Sequence, residues 1–309
     1  MVLCYQEHRK LANGHTKGIT KVVFSPDGTL LATGGLDGRI CVWGVEKGVL
    51  CHAYSGTSEV LEVVWPATPP GLMCGLGDGH IAWMPFSEEN VNIAGFFAHG
   101  YPVECLAPNN GRLASGAGPE LSIWRWDSDA ARYVRERTFD EPPKTSHNES
   151  KEVVVTSIHW ITSQQRLAVT YLNHGICLFD STTWMRVRTF PMNGFVASAS
   201  ISDDGALIAV SNVDRGFDIY SLASGDPLCT IKHKILRKVA TPAIWIHGGF
   251  ALLGGTTSGK LTVWDVTDFL RREDDDAAAE VRVLYELPIP KEAEALAVAV
   301  SPRSRCMNC

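Results

Sequence analysis

Residues 34–43, GGLDGRICVW, join an Asp-Gly pair to an alternating apolar run that ends on tryptophan. Asp-Gly flanked by such runs is a strong signal for a tight β-hairpin: Leu30, Leu31 and Ala32 lie before it, Ile40, Val42 and Trp43 after it. One hairpin constrains a chain little, whereas its recurrence at a fixed period constrains the whole fold. The unit from residue 14 to residue 43 has a first strand with Ile19, Val22 and Phe24, a Ser25-Pro26-Asp27-Gly28 turn, a second strand at 30–33 and a third at 39–43. The same features return with Val60, Val63, Trp65, Asp78-Gly79 and Met84. They return again with Val155, Ile158, Trp160, Asn173, Ile176 and Phe179. A further copy holds Val196, Ala199, Ile201, the turn at 202–205, Asp214 and Tyr220, and another holds Ala240, Ala243, Trp245, Ser258-Gly259, Leu261 and Trp264. A looser and shorter copy runs from Val103 through 113–116 to Trp124, and a fragment at 295–302 repeats the first strand and its Ser-Pro.

A period of roughly 40–45 residues is that of four-stranded propeller blades. A sandwich also contains many short strands, but it does not repeat one turn and one aromatic in register across six segments. The expected fold is therefore all-β, a β-propeller with blades at about 14–54, 55–97, 98–139, 150–191, 192–234 and 235–290. A partial blade at 291–302 makes this a seven-bladed design with six recognisable blades and an incomplete last one; 303–309 reads as a disordered tail.

Gly14-His15, the Ser25-Pro26-Asp27-Gly28 turn, Thr33, Asp37 and Trp43 resemble one complete unit of the WD-repeat (WD40) family, and the decayed pattern covers most of 14–302. Trp264-Asp265 keeps the family's Trp-Asp pair, while Gly44 stands at that aspartate's position in the first unit. The resemblance implies a hydrogen-bonded cluster of His15, Thr33, Asp37 and Trp43. Indole only donates, so it needs an acceptor such as a hydroxyl, and imidazole can accept from Thr33 while donating to a carboxylate. A triad-like hydrolytic use of these groups is disfavoured, because the hydroxyl would face a ring rather than a substrate. Other units carry Met84, Phe179 and Tyr220 at the tryptophan position, and Asn173 and Ser258 at the aspartate position. They are expected to cohere by apolar packing between sheets, with the first blade the best ordered and the third or fourth the most irregular. The resemblance also implies closure through an N-terminal strand within 1–13, so an unfinished last blade would leave edges open to self-association.

With 45% apolar and 20% charged residues, the 309-residue chain can bury a large core. Its net charge of −6 argues against a nucleic-acid partner. No apolar run suggests a leader or a membrane span, so an intracellular place, cytoplasmic or nuclear, is expected and no membrane partner. The nine cysteines are odd in number and scattered, which fits reduced thiols, with Cys41, Cys105 and Cys177 in the core. Cys306 and Cys309 have a suggestive spacing but lack two further ligands. Residues 140–152 read as a loop between blades and 267–283 as an acidic insertion.

No phosphate-binding loop, His-Glu-x-x-His or Gly-x-Ser-x-Gly occurs, and no cofactor or metal is expected. The leading expectation is a non-catalytic scaffold that binds other proteins or peptides through loops fixed by rigid sheets. The family resemblance puts the binding face at the loops before strand one and between strands two and three. The candidates there are Leu36, Glu59, Glu104, Leu172, Phe195, Val213 and Val239, flanked by Leu61, Val154, Thr156, Ala197 and Thr241. Phe195 packing inward on a neighbouring blade is an equal alternative. Two other functions remain open: a propeller enzyme whose acids Glu59, Glu104 and Asp214 meet at the channel mouth, and a phosphoinositide binder using Phe269-Leu270-Arg271-Arg272.

Overall fold

A computed structural model describes residues 5, 8–85, 93–192, 194–233, 235–257, 260–267, 281–288 and 297–302. Each repeat is one antiparallel four-stranded sheet, and the strands of each sheet are consecutive in the chain. The first comprises β1 (Ile19–Phe24), β2 (Leu30–Gly35), β3 (Arg39–Gly44) and β4 (Val49–Ser55). The second comprises β5 (Val60–Val64), β6 (Leu72–Leu76), β7 (His80–Met84) and β8 (Ala94–Phe97). The third comprises β9 (Cys105–Asn109), β10 (Arg112–Ala117), β11 (Glu120–Asp127) and β12 (Arg132–Thr138). The fourth comprises β13 (Val155–Ile161), β14 (Arg166–Tyr171), β15 (Gly175–Asp180) and β16 (Arg186–Phe190). The fifth comprises β17 (Val196–Ile201), β18 (Leu207–Asn212), β19 (Gly216–Ser221) and β20 (Pro227–Lys232). The sixth comprises β21 (Ala243–Ile246), β22 (Ala251–Thr256), β23 (Lys260–Asp265) and β24 (Arg282–Pro288).

The tight turn at Asp37-Gly38 has a local cause. Gly38 adopts φ 71°, and a Cβ there would lie 2.7 Å from the carbonyl oxygen of Gly56. Asp37 Oδ1 accepts the N–H of Arg39, which closes the turn from the side-chain side.

Burial explains the packing of blade on blade. In every sheet the two inner strands are buried on both faces, while the outermost strand is largely exposed, as in β4. The core is consequently a series of layers between neighbouring sheets. Ala32, Ile40 and Val42 of blade one meet Val60, Val63, Leu72 and Met84 of blade two. Equivalent layers join blade two to three, three to four, four to five and five to six. First strands line the axis, with β1 packed on β5, β5 on β9, β9 on β13, β13 on β17 and β17 on β21. Among the described residues no comparable packing joins β21 back to β1.

The described residues therefore build the six blades recognisable in the sequence, and the incomplete seventh expected at 291–302 is not confirmed. Residues 297–302 hold no strand. Val300 lies with Tyr5 against the outward apolar face of blade six, beside Ile246, Ala251 and Val263. Tyr5 is anchored there by two hydroxyl contacts. Its own hydroxyl meets His247 Nε2 at 2.5 Å, and the hydroxyl of Tyr285 donates to its carbonyl oxygen at 2.8 Å. Four residues further on, Arg9 donates to the carbonyl of Lys47 on blade one. The N-terminal segment thus touches both ends of the row of blades. Tyr5 and residues 8–13 belong to no sheet; the rest of the expected closing strand lies outside the described residues.

Candidate functional site

In blade one the four polar groups form a single chain of hydrogen bonds. Trp43 Nε1 donates to Thr33 Oγ1 at 3.2 Å. Thr33 Oγ1 meets His15 Nε2 at 2.7 Å, and His15 Nδ1 meets Asp37 at 3.0 Å. With an imidazole carrying one proton, Thr33 donates to Nε2 and Nδ1–H donates to the carboxylate, which satisfies all four groups. Burial would raise the Asp37 pKa. The N–H of Thr16, His15 and the N–H of Arg39 outweigh it and hold the carboxyl far below the usual range. The cluster fastens the segment before β1 to the β2–β3 hairpin, and so sets one corner of the loop-bearing face.

Blade three carries a second cluster of the same kind. Trp124 Nε1 donates to Ser115 Oγ at 2.7 Å, Ser115 Oγ meets His99 Nε2 at 2.6 Å, and His99 Nδ1 meets Glu120 at 2.8 Å. The guanidinium of Arg135 lies 4.5 Å above the indole of Trp124. Blade three was expected to be among the most irregular, and it is not. The β10–β11 hairpin is shorter, with Ala117 opposite Glu120, so the acid comes from the start of β11 rather than from the turn. Its extra methylene restores the reach.

The family model described as "WD domain, G-beta repeat" matches residues 6–44, the span of this first cluster and its hairpin. Blade one is thus a WD repeat, and the relatives below support the WD-repeat family for the chain. It is 25% identical over 234 residues to Protein HIR1 of Cryptococcus neoformans, covering 64% of this chain and 25% of that protein. It is 24% identical over 265 residues to the human Angio-associated migratory cell protein, covering 82% of this chain and 59% of the other. It is 30% identical over 182 residues to the WD repeat-containing protein VIP3 of Arabidopsis thaliana, covering 56% of each. The chain spans between 25% and 59% of the length of these relatives.

A WD-repeat propeller offers two places for a ligand, the axis and the loop face. The axial cavity has a volume of about 660 Å³, and Lys21, Glu62, Cys105, Ser157, His159 and Ser198 are among its lining residues. Lys21 and Glu62 form an ion pair at 2.9 Å. Burial opposes both charges, and the contact with Glu62 carries Lys21 above the ordinary lysine range. His159 is pushed down to about 4, by desolvation first and by the charge of Lys21 second. Burial raises the thiols of Cys74 and Cys105 well above the usual range, so neither is a nucleophile at neutral pH. Among the described residues no group of His, Cys, Asp and Glu could hold a metal ion.

The predicted loop residues fall into two sets. Leu36, Phe195 and Val239 are exposed apolar groups at 40%, 37% and 36% of their full surface, and Glu59 and Glu104 are also exposed. Leu172 and Val213 are half-buried, as are Leu61, Val154, Thr156 and Ala197, and Thr241 is buried. Phe195 is not in the core layer, whereas the adjacent Val196 is. Asp214, the third acid considered for catalysis, is drawn to Lys238 at 2.5 Å. The Phe269-Leu270-Arg271-Arg272 stretch, Ser258-Gly259, and Cys306 and Cys309 lie outside the described residues.

Sequence reading missed three features of this face. Leu236 and Tyr101 add exposed apolar surface at 55% and 48%. Asp218 is buried on β19, where it accepts from Asn212 Nδ2 at 3.0 Å, Arg215 Nη2 at 2.8 Å and Thr230 Oγ1 at 2.7 Å. An aspartate in the middle of an apolar strand was the available signal, since such a group is buried only when its oxygens are satisfied.

Proposed function

We propose that this chain is a non-catalytic interaction scaffold whose partner-binding surface is the face carrying Leu36, Phe195 and Val239. One observation supports the reading above the others. These apolar side chains stay exposed at 36–40% of their full surface, while Val196, Ala243 and Trp245 close to them in the chain are buried. Apolar side chains held at a rim by rigid sheets are the usual anchor of a protein partner. The axial groups support the same reading, because Lys21 is occupied by Glu62 and the buried thiols are not ionised.

The scaffold acts on proteins or peptides inside the cell, in cytoplasm or nucleus. Cys41, Cys51, Cys74, Cys105, Cys177 and Cys229 are free thiols, which suits a reducing compartment. No helix among the described residues is long and apolar enough to cross a membrane. Tyr5 and Val300 occupy the outward face of blade six, which supports a monomer over a pair joined at that edge. A doubled mass in light scattering would reverse that part of the reading.

The test is the double variant Phe195→Asp/Val239→Asp, used as bait in a pull-down with mass spectrometry beside the unaltered chain. Partners recovered by the unaltered chain should fall about tenfold or more with the variant. Its melting temperature should stay within about 2 °C, since surface changes cost little. Unchanged recovery would sink the assignment of this face, and a collapse of folding would show that Phe195 serves the core.

A further inference from the structure

Charge and apolar surface are segregated around the loop face. Blades two and three present Glu59 and Glu104, both exposed. The carbonyl of Glu59 accepts the N–H of Gly77 at 2.9 Å, and the N–H of Glu104 donates to Gly116 at 3.2 Å. A Cβ on Gly77 would lie 2.8 Å from Glu59 Oε2, so this carboxylate leans over the β6–β7 hairpin. Both acids therefore stand on the face that carries the loops between strands two and three. Neither forms an ion pair among the described residues. Lys21, which lines the axis, is held by Glu62. Partial burial raises the carboxyl of Glu104 above its ordinary range.

Blades five and six present the opposite chemistry. Phe195, Leu236 and Val239 are exposed there. Of the neighbouring charges, Lys238 is paired with Asp214 and Arg215 with Asp218, and Arg237 is exposed between Leu236 and Lys238. A ligand crossing the axis would thus meet two carboxylates on one side and, on the other, apolar side chains set beside Arg237 and the paired Lys238. Apolar anchors contribute most of the affinity at such a surface, and rim charges select the partner and its direction.

We propose that this face takes an extended peptide segment of a partner protein in which a Lys or Arg is followed by large apolar side chains. The cation sits over Glu59 and Glu104, and the apolar groups rest on Phe195 and Val239. The same carboxylates reject acidic segments by like-charge repulsion. The proposal rests on the scaffold reading and adds the class of partner to it.

The experiment is a selection of random dodecapeptides displayed on phage against the immobilised full chain. Recovered peptides are then synthesised with a fluorescein label and titrated by anisotropy. Recovered sequences should pair Lys or Arg with a large apolar residue. Glu59→Gln/Glu104→Gln should weaken binding about tenfold at low salt and flatten its salt dependence. Phe195→Ser should weaken it about tenfold with the salt dependence intact. Peptides without a basic residue, or full binding to the double Gln variant, would overturn the proposal while their sensitivity to Phe195→Ser kept the scaffold reading alive. Recovery of no peptide that depends on Phe195 would overturn both.

Discussion

Blades one and three solve the same problem with different acids. Both bury an indole N–H on a hydroxyl, a hydroxyl on an imidazole and an imidazole on a carboxylate. The Asp37 side chain is 4% exposed and also takes the backbone N–H groups of Thr16 and Arg39. Glu120 is 38% exposed, and its backbone donor is Gly100 at 3.3 Å. The first carboxylate is part of the fold, whereas the second is a half-solvated brace. Geometry can thus be conserved between two blades while the energy held in it is not, because the contribution of a charge depends on how much water it has lost.

The sharpest way to break this comparison is to remove each acid in turn. Asp37→Ala leaves two backbone donors and a buried imidazole without an acceptor and should cost about 2–4 kcal/mol. Glu120→Ala removes a carboxylate that is already 38% exposed, whose place beside the buried His99 water can take, and should cost about 1 kcal/mol. Urea unfolding of the two variants would measure both, and equal losses would show that solvation does not separate the two clusters.

Blade six offers a smaller contrast. Where blade one has Thr33 hydrogen-bonded to its tryptophan, blade six has Gly254 at the equivalent position, and a Cβ there would lie 2.6 Å from the Phe217 ring and 2.8 Å from Trp264. Phe217 and Trp264 are packed at 5.5 Å between centroids, so a ring from blade five fills the space a hydroxyl occupies in blade one. Gly254→Ser should therefore not recreate the cluster but overpack the layer, at a cost of about 1–3 kcal/mol. A rise in melting temperature would mean that the layer holds slack.

The smallest expected effect separates the axis from both clusters. His159 has its pKa pushed down to about 4, so the unfolded chain binds a proton that the folded chain refuses. The resulting contribution is complete above the unfolded histidine range near ~6.5 and is lost as pH falls from there toward about 4. Unfolding measured at about pH 6.5 and about pH 5.5, the upper part of that window, should show stability dropping by about 1 kcal/mol more in the unaltered chain than in His159→Gln. Identical slopes would place the pH dependence elsewhere, with His99 the next group to try, since burial lowers it despite Glu120.

Much of this was legible before any coordinates. The period, the Asp37-Gly38 hairpin, the four-stranded unit and the cluster of His15, Thr33, Asp37 and Trp43 were all readable from residue 14 onward. The blade-three cluster was not, because register reading looked for an acid in the turn and the shorter hairpin delivered Glu120 from the strand instead. The partial seventh blade at 291–302 is not confirmed, since residues 297–302 hold no strand and Val300 serves as a cover for blade six. Which rim residues stay exposed was also out of reach. Phe195 and Leu172 look alike as apolar rim positions, yet one is exposed and the other half-buried.

What the sequence by itself determined is the repeat unit, since turn chemistry and strand alternation act between residues near in the chain. What only the tertiary structure decided is how many units line up, which groups lose their water between them and which charges on the loop face go without a partner. Those depend on contacts between residues dozens to hundreds of positions apart, such as Tyr5 on Tyr285 or Lys21 on Glu62, and no local pattern encodes the burial that sets their strength.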